Sequence, residues 1–215
     1  DAANTLTAQW KQSAYEVEYL LDGKPYDAGE YDGSKNAGST VTVAPKAEKP
    51  GYTVTDWTSA DVIISGGSFT MPEHKVTLTA TSTINKYDII YKVNGGVVKT
   101  YEDVPYGTEL TEKYDYTYAT PEGYTFSGWD KTLPAFMPDD DVVIEGTTTI
   151  NKHTITYEIV GDYFTNSEYA VIEDVEYGTE LSLIPDDMTK TGYTFHGWSG
   201  LPETMPDDNV VVTGY

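Results

Sequence analysis

Residues 123–129 read Gly123-Tyr124-Thr125-Phe126-Ser127-Gly128-Trp129, and Met137-Pro138-Asp139-Asp140-Asp141 follows shortly after. The same words stand at Gly51-Tyr52-Thr53 with Trp57 and Met71-Pro72, and at Gly192-Tyr193-Thr194 with Trp198 and Met205-Pro206. Self-similarity at a fixed period is the signature of a tandem array, and it overrides any domain count taken from chain length. Thr83-Ile84-Asn85-Lys86 and Thr149-Ile150-Asn151-Lys152 mark the junctions, and Tyr-Gly-Thr-Glu-Leu occupies 106–110 and 177–181. The phase gives the end of a preceding repeat at 1–14, repeat one at 15–86, repeat two at 87–152 and repeat three at 153–215, truncated at its C-terminal end. The chain begins at Asp1 rather than Met, which reads as a piece of a longer protein.

Each repeat opens on a strand. Tyr15, Val17, Tyr19 and Leu21 alternate with mostly polar neighbours, as do Tyr87, Ile89, Tyr91 and Val93, and His153, Ile155, Tyr157 and Ile159. Period two with one apolar face describes a half-buried strand. Asn94-Gly95-Gly96 predicts a tight hairpin turn into Val97–Val104. The Met-Pro-acidic segment reads as a turn feeding Val142-Val143-Ile144, which runs through Ile-Asn-Lys into the next repeat. Only the stretch after Tyr-Gly-Thr-Glu-Leu suits a short helix, with Thr108 or Thr179 as N-cap. The expectation is a predominantly β chain (α+β at most), with one short helical segment per repeat at most. A module of about 60 residues buries only about 60% of its unfolded surface, so a three-residue junction lets neighbours supply the missing interface.

Composition removes several classes. The 215 residues carry 13 basic and 35 acidic side chains, a formal net charge of −22. Such a surface repels nucleic-acid phosphates and anionic lipids. With no Cys there is no disulfide framework, thiolate metal cage or Cys nucleophile. No stretch approaches the roughly 20 apolar residues of a membrane helix, so no membrane insertion by this fragment is expected.

Gly-Tyr-Thr-Phe-x-Gly-Trp followed by Met-Pro-x-x-Asp resembles the Listeria–Bacteroides repeat, also called the internalin B-repeat, over essentially the whole chain. Leu6-Thr7-Ala8-Gln9-Trp10 is similar to the end of such a repeat. The resemblance implies small β-grasp-like modules, arrayed in secreted or surface-anchored bacterial proteins. Repeat one departs most: Val54-Thr55-Asp56 replaces Phe-x-Gly, and residues are inserted near 58–70.

The candidate site residues differ from repeat to repeat. Asp139-Asp140-Asp141 and Asp207-Asp208-Asn209 could offer Ca²⁺ its oxygen ligands, but they also suit a turn whose Asp side chains bond the backbone, and repeat one has Glu73-His74-Lys75 there. His74, His153 and His196 occupy three different repeat positions, without ligand spacing, and read as ordinary surface or half-buried histidines. Leu201-Pro202-Glu203-Thr204-Met205 mimics a sortase signal, yet repeat two carries Leu133-Pro134-Ala135-Phe136-Met137 in the same place. Tyr114, Tyr116 and Tyr118 share one face and form a candidate binding surface for a protein or glycan, against the alternative of packing on their own sheet. No pair of carboxylates stands out for glycoside hydrolysis. The expectation is therefore no catalytic residue, no resident metal or cofactor beyond that Ca²⁺ reading, and a non-catalytic extracellular spacer or stalk. An adhesin is the alternative and a glycan-processing hydrolase the remote one. The expected partners are neighbouring repeats of the same chain and an unidentified protein or glycan ligand, if any.

Overall fold

A computed structural model describes residues 9–161, 164–182 and 191–215. The strands in chain order are β1 (Ala14–Leu21), β2 (Lys24–Tyr26), β3 (Gly33–Asn36), β4 (Thr40–Thr42), β5 (Tyr52–Val54), β6 (Ser68–Thr70), β7 (Val76–Ala80) and β8 (Ser82–Ile84). They continue as β9 (Lys86–Val93), β10 (Gly96–Pro105), β11 (Tyr124–Trp129), β12 (Val142–Ile150), β13 (Lys152–Gly161), β14 (Phe164–Glu176), β15 (Trp198–Ser199) and β16 (Val210–Gly214). Three four-stranded sheets result: β2-β1-β3 with β7 on β1, then β10-β9-β12-β11, then β14-β13-β16-β15. The chain is a tandem β array. The expected preceding strand in 1–14 falls largely outside the described residues, and residues 9–13 carry no strand.

The chain divides into two compact units that cut across the repeats. The first comprises Asp1–Asp88, Glu102–Leu110 and Pro134–Val142, and the second Ile89–Tyr101, Thr111–Leu133 and Val143–Tyr215. Each unit keeps one repeat junction whole.

In the first unit, β1 forms a hairpin with β2 through Asp22-Gly23, both at positive φ, and pairs parallel with β7 in the register Val17↔Val76, Tyr19↔Leu78, Leu21↔Ala80. Parallel neighbours need a crossover, usually a helix. Here an extended segment does that work. Ala44–Ala47 lies over the sheet as a strap: the Ala44 N–H donates to the Tyr19 hydroxyl oxygen (3.0 Å), and Trp57 Nε1 donates to the Pro45 carbonyl (2.9 Å). Tyr19, 1% exposed, meets Trp57 edge-on at 4.9 Å. Val17, Val41, Val54, Phe69, Met71, Val76 and Leu78 fill the core around this pair. β6 pairs with β4, where repeats two and three carry the single bridges Glu109↔Phe136 and Glu180↔Thr204, while β5 pairs with β8 in a small separate sheet. Val104, Leu110, Met137 and Val142 are also buried in this unit.

The second unit repeats the scheme. The Asn94-Gly95 turn has φ of 50° and 80°, the backbone of a type I′ hairpin. Tyr91, 1% exposed, meets Trp129 at 4.9 Å and donates its hydroxyl to the Tyr114 carbonyl (2.9 Å). The Trp129 indole donates to the Tyr116 carbonyl (2.9 Å). Gly146 lies under Phe126, where a Cβ would fall 2.5 Å from the ring. Repeat one shifts volume from one matching position to the other, with Val54 in place of Phe126 and Ala80 in place of Gly146. In repeat three β13 pairs antiparallel with β14 and parallel with β16, in the register Ile155↔Val210 and Tyr157↔Val212. Tyr157 meets Trp198 edge-on at 5.1 Å, over a core of Ile155, Met205, Val210 and Val212.

The expected helix corresponds to one 3-10 turn at Glu112–Tyr114 in repeat two. Its N-cap is Thr111, without a side-chain cap bond, and not Thr108. The Thr108 N–H instead closes a turn onto the Pro105 carbonyl (3.1 Å), so that residue is consumed before the helical turn begins. The corresponding expectation after Thr179 falls on residues 183–190, outside the described residues.

Candidate functional site

The sequence motifs converge at the repeat junctions. Asn85 is the sole residue between β8 and β9 that lies in neither strand. Its N–H donates to the Gly51 carbonyl of repeat one (2.9 Å), and its carbonyl accepts from the Tyr106 N–H of repeat two (2.9 Å). Its side chain is equally committed. Oδ1 accepts from the Thr53 hydroxyl (2.7 Å), and Nδ2 donates to Asp139 Oδ1 (3.3 Å) and to the Tyr87 hydroxyl oxygen (3.2 Å). Asp139 completes the set by accepting from the Tyr87 hydroxyl and, on Oδ2, from the Gly51 N–H (3.3 Å). Gly51 has a φ of +75°, and a Cβ there would fall 2.0 Å from Tyr106 Cδ1, so the tyrosine ring lies directly on bare backbone. Only glycine permits both the positive φ and that approach.

The second junction has the same plan. The Asn151 N–H donates to the Gly123 carbonyl (2.8 Å), and its carbonyl accepts from the Tyr177 N–H (2.9 Å). Thr125 donates to Asn151 Oδ1 (2.6 Å), and Asn151 Nδ2 donates to Asp207 Oδ1 (2.8 Å). The Gly123 N–H donates to Asp207 Oδ2 (3.3 Å), and Tyr177 covers Gly123 as Tyr106 covers Gly51. His153 stands where Tyr87 stood, with Nε2 2.9 Å from Asp207 Oδ1. Each clasp thus joins a Gly-x-Thr edge of one repeat, through the junction Asn, to an aromatic and an Asp on the leading edge of the next.

The electrostatics follow from these donors. The Tyr87 hydroxyl, then Asn85 and the Gly51 N–H, hold Asp139 below the usual carboxylate range, and the same contact raises Tyr87. Asp207 is lowered by Asn151 first and His153 next. Charge-assisted bonds of this kind favour the ionised acid.

The other acids of the two turns are engaged by backbone. Asp140 Oδ1 accepts from the Asp141 N–H (2.8 Å), and Asp141 Oδ1 accepts from the Asp88 N–H (2.8 Å). Asp208 and Asn209 accept from the Asn209 and Thr154 N–H groups (2.7 and 2.8 Å). Oxygens aimed at N–H donors are not arranged to converge on Ca²⁺, and among the described residues no group of three acids or histidines could hold a metal. His74 Nδ1 lies 2.9 Å from the Lys75 carbonyl, and His196 stacks on Tyr215 at 5.8 Å. The three histidines therefore sit in separate places. In the sortase-like stretch, Met205 is fully buried and Thr204 bridges Glu180, so the segment belongs to the repeat core.

Tyr114, Tyr116 and Tyr118 are half-buried. Tyr116 lies 5.5 Å from the Tyr91 ring, Tyr114 5.5 Å from Tyr101, and Tyr118 5.0 Å from Phe126. Their backbone is the strap over Tyr91 and Trp129. The clasp was the part that sequence reasoning missed. Its signal lies in residues that change together: Asn, the aromatic before Gly-Thr, and the Asp after Met-Pro are present in repeats two and three, whereas repeat one has Ser13, Ala37 and Glu73.

Comparison with known proteins gives a matching picture. The model of the Listeria-Bacteroides repeat domain matches residues 87–150 and 153–204, and that of the divergent InlB B-repeat domain matches 24–86. Two proteins of Evansella cellulosilytica are similar. One, described as a membrane protein, is 27% identical over 209 residues, covering 91% of this chain and 30% of the relative. The other, described as a Gly-rich membrane protein, is 30% identical over 204 residues, covering 90% and 22%. Internalin H of Listeria monocytogenes is 35% identical over 91 residues, 38% of this chain and 15% of that protein. The chain thus spans less than a third of the length of each of these relatives. Among solved structures, the tandem SHIRT domains 3-4 of a streptococcal cell surface protein share 17% identity, with coverage of 64% of this chain and 96% of that one, at a TM-score of 0.24. The matched families are repeat domains and not catalytic ones. The chain belongs to the Listeria–Bacteroides repeat family, with a divergent InlB B-repeat as its first module.

Proposed function

We propose that the chain is a non-catalytic, extracellular repeat array acting as a semi-rigid spacer in a bacterial surface or secreted protein. The observation that carries this reading is the doubled clasp. Asn85 and Asn151 are each hydrogen-bonded to both neighbouring repeats, through backbone and side chain alike. A linker one residue long, with both backbone groups and both side-chain ends engaged, has little freedom to bend. The charge of −22 keeps such an array soluble and discourages self-association. The family and the membrane-protein descriptions of two relatives support the surface location.

Small-angle scattering on the whole chain and on an Asn85→Gly/Asn151→Gly variant tests the spacer. The expected result is a narrow distribution of end-to-end distances that broadens in the variant. A parent distribution as broad as the variant's overturns it. A parallel screen against mucins, polysaccharides and matrix proteins tests the adhesin reading. Saturable binding lost on replacing Tyr114, Tyr116 and Tyr118 with Ala would install that reading in place of the spacer.

A further inference from the structure

The leading edge of repeat one has the backbone of a clasp without its side chains. The Ala37 N–H donates to the Ser13 carbonyl (2.9 Å), as Tyr106 does to Asn85 and Tyr177 to Asn151. The Gly38 N–H donates to the Met71 carbonyl (2.8 Å), and the Met71 N–H to the Ser39 carbonyl (2.9 Å), which matches Gly107, Met137 and Thr108. The frame is therefore conserved in geometry while the chemistry differs. Ala37 has no ring to lay on a glycine. Ser13 lacks the amide that donates and accepts at once. Glu73 carries its carboxylate one methylene further out than Asp139 or Asp207.

The trailing edge of repeat three shows the opposite. Gly192 has a φ of +84°, against +75° and +77° at the two glycines that lie under tyrosine rings. Among the described residues nothing comes within 4 Å of where a Cβ would sit on Gly192. Thr194 stands where Thr53 and Thr125 bond the junction asparagines, and Tyr193 is 53% exposed. This edge repeats the receiving half of the two observed junctions.

We propose that Gly192-Tyr193-Thr194 is a docking surface for the leading edge of a further repeat of this class, one carrying an aromatic before Gly-Thr, an Asn at the junction and an Asp after Met-Pro. The leading edge of repeat one, with Ala37, Ser13 and Glu73, is not its partner. These two edges are thus non-complementary. Repeats join in a set order, and copies of this chain do not polymerise end to end through these faces. The inference does not depend on whether the array is a spacer or an adhesin, since it concerns which repeats fit together.

The test extends the full chain by an in-phase copy of residues 148–215 placed after Tyr215. Three further versions of the extended chain are made. One carries Gly192→Ala, one replaces the copied Tyr177 with Ala, and one gives the copied leading edge the Ala, Ser and Glu of repeat one. Native-state hydrogen exchange is read at the amide of the copied Asn151, which the docking places on the Gly192 carbonyl. Docking slows that exchange, and each altered version speeds it by at least about tenfold relative to the extended parent. Gly192→Ala in the unextended chain separates backbone strain from docking, because its effect there is smaller. Sedimentation equilibrium of the unextended chain is expected to show a monomer. An unprotected amide in the extended parent, or equal protection when the appended edge carries Ala, Ser and Glu, would overturn the proposal. So would end-to-end association of the unextended chain that Gly192→Ala abolishes.

Discussion

Replacing Gly51 with Ala should open the first junction, and the structure fixes the size of the effect. Two costs add. An alanine at a φ of +75° pays roughly 1 kcal/mol of backbone strain. Its Cβ also lands 2.0 Å from Tyr106 Cδ1 and 2.2 Å from Cγ. Because Cγ is the root of the ring, rotation about χ2 cannot clear it. The side chain must swing about χ1 and leave the glycine, losing about 1–2 kcal/mol of ring burial. Together these give about 2–3 kcal/mol, which corresponds to an increase of about 30- to 150-fold in the open population. Hydrogen exchange at the Asn85 and Tyr106 amides reads that population, since both bonds span the junction. The double variant Gly51→Ala/Tyr106→Ala isolates the steric part. With the ring gone, the alanine should cost only its strain, leaving a coupling of about 1–2 kcal/mol between the two sites. Additive effects would refute the idea that the ring on the glycine holds the junction.

Three further outcomes are expected. Gly146→Ala should destabilise repeat two by about 2 kcal/mol, because the new Cβ meets Phe126 at 2.5 Å and the Gly128 carbonyl oxygen at 2.9 Å, and Phe126→Val should recover part of the loss in urea unfolding. The clasp acids have folded pKa values below their unfolded ones, so their stabilisation is present above the ordinary carboxylate range and disappears as pH falls through the depressed values. A carboxyl-carbon NMR titration should show Asp139 and Asp207 on the low side and Asp22 at about 2, lowered chiefly by Ser82 and then Lys49, with Asp139→Asn flattening the acid limb at the first junction. Millimolar Ca²⁺ should move the thermal midpoint by less than about 1 °C, because only a ligand that prefers the folded state raises it. A large shift would contradict the assignment of the turn acids to backbone N–H groups.

Much of the architecture was legible in the sequence because it is written in local patterns. Period-two alternation marked the faces that bury Val17 and Tyr19, Ile89 and Tyr91, and Ile155 and Tyr157. Asn94-Gly95 announced its turn through positive φ. The clasp was harder to see, since its partners lie far apart in sequence: Gly51 and Asp139 are separated by 88 positions. No periodicity links such residues, and each alone has a plain alternative reading, Asp139 as a solvated turn acid and His153 as a surface histidine. The Thr108 cap failed for a local reason, because Thr108 closes a tight turn onto the Pro105 carbonyl, and Glu109 and Leu110 then pair with Phe136 and Ala135 before the helical residues begin. Repeat one kept its Tyr–Trp pair despite losing Phe-x-Gly, because Val54 with Ala80 fills the space that Phe126 with Gly146 fills in repeat two.

The parallel pairing of β1 with β7, and of β13 with β16, has a mechanical meaning. In repeat one β1 and β7 lie side by side from Val17↔Val76 to Leu21↔Ala80, and β13 and β16 do the same in repeat three. Tension carried along the chain enters such a module at the start of one strand and leaves at the end of its neighbour. The two are pulled past each other lengthwise, and their hydrogen bonds share the load at once. A hairpin pulled from its open end would instead yield bond by bond. Strand order alone thus decides whether a module meets tension in shear or by unzipping.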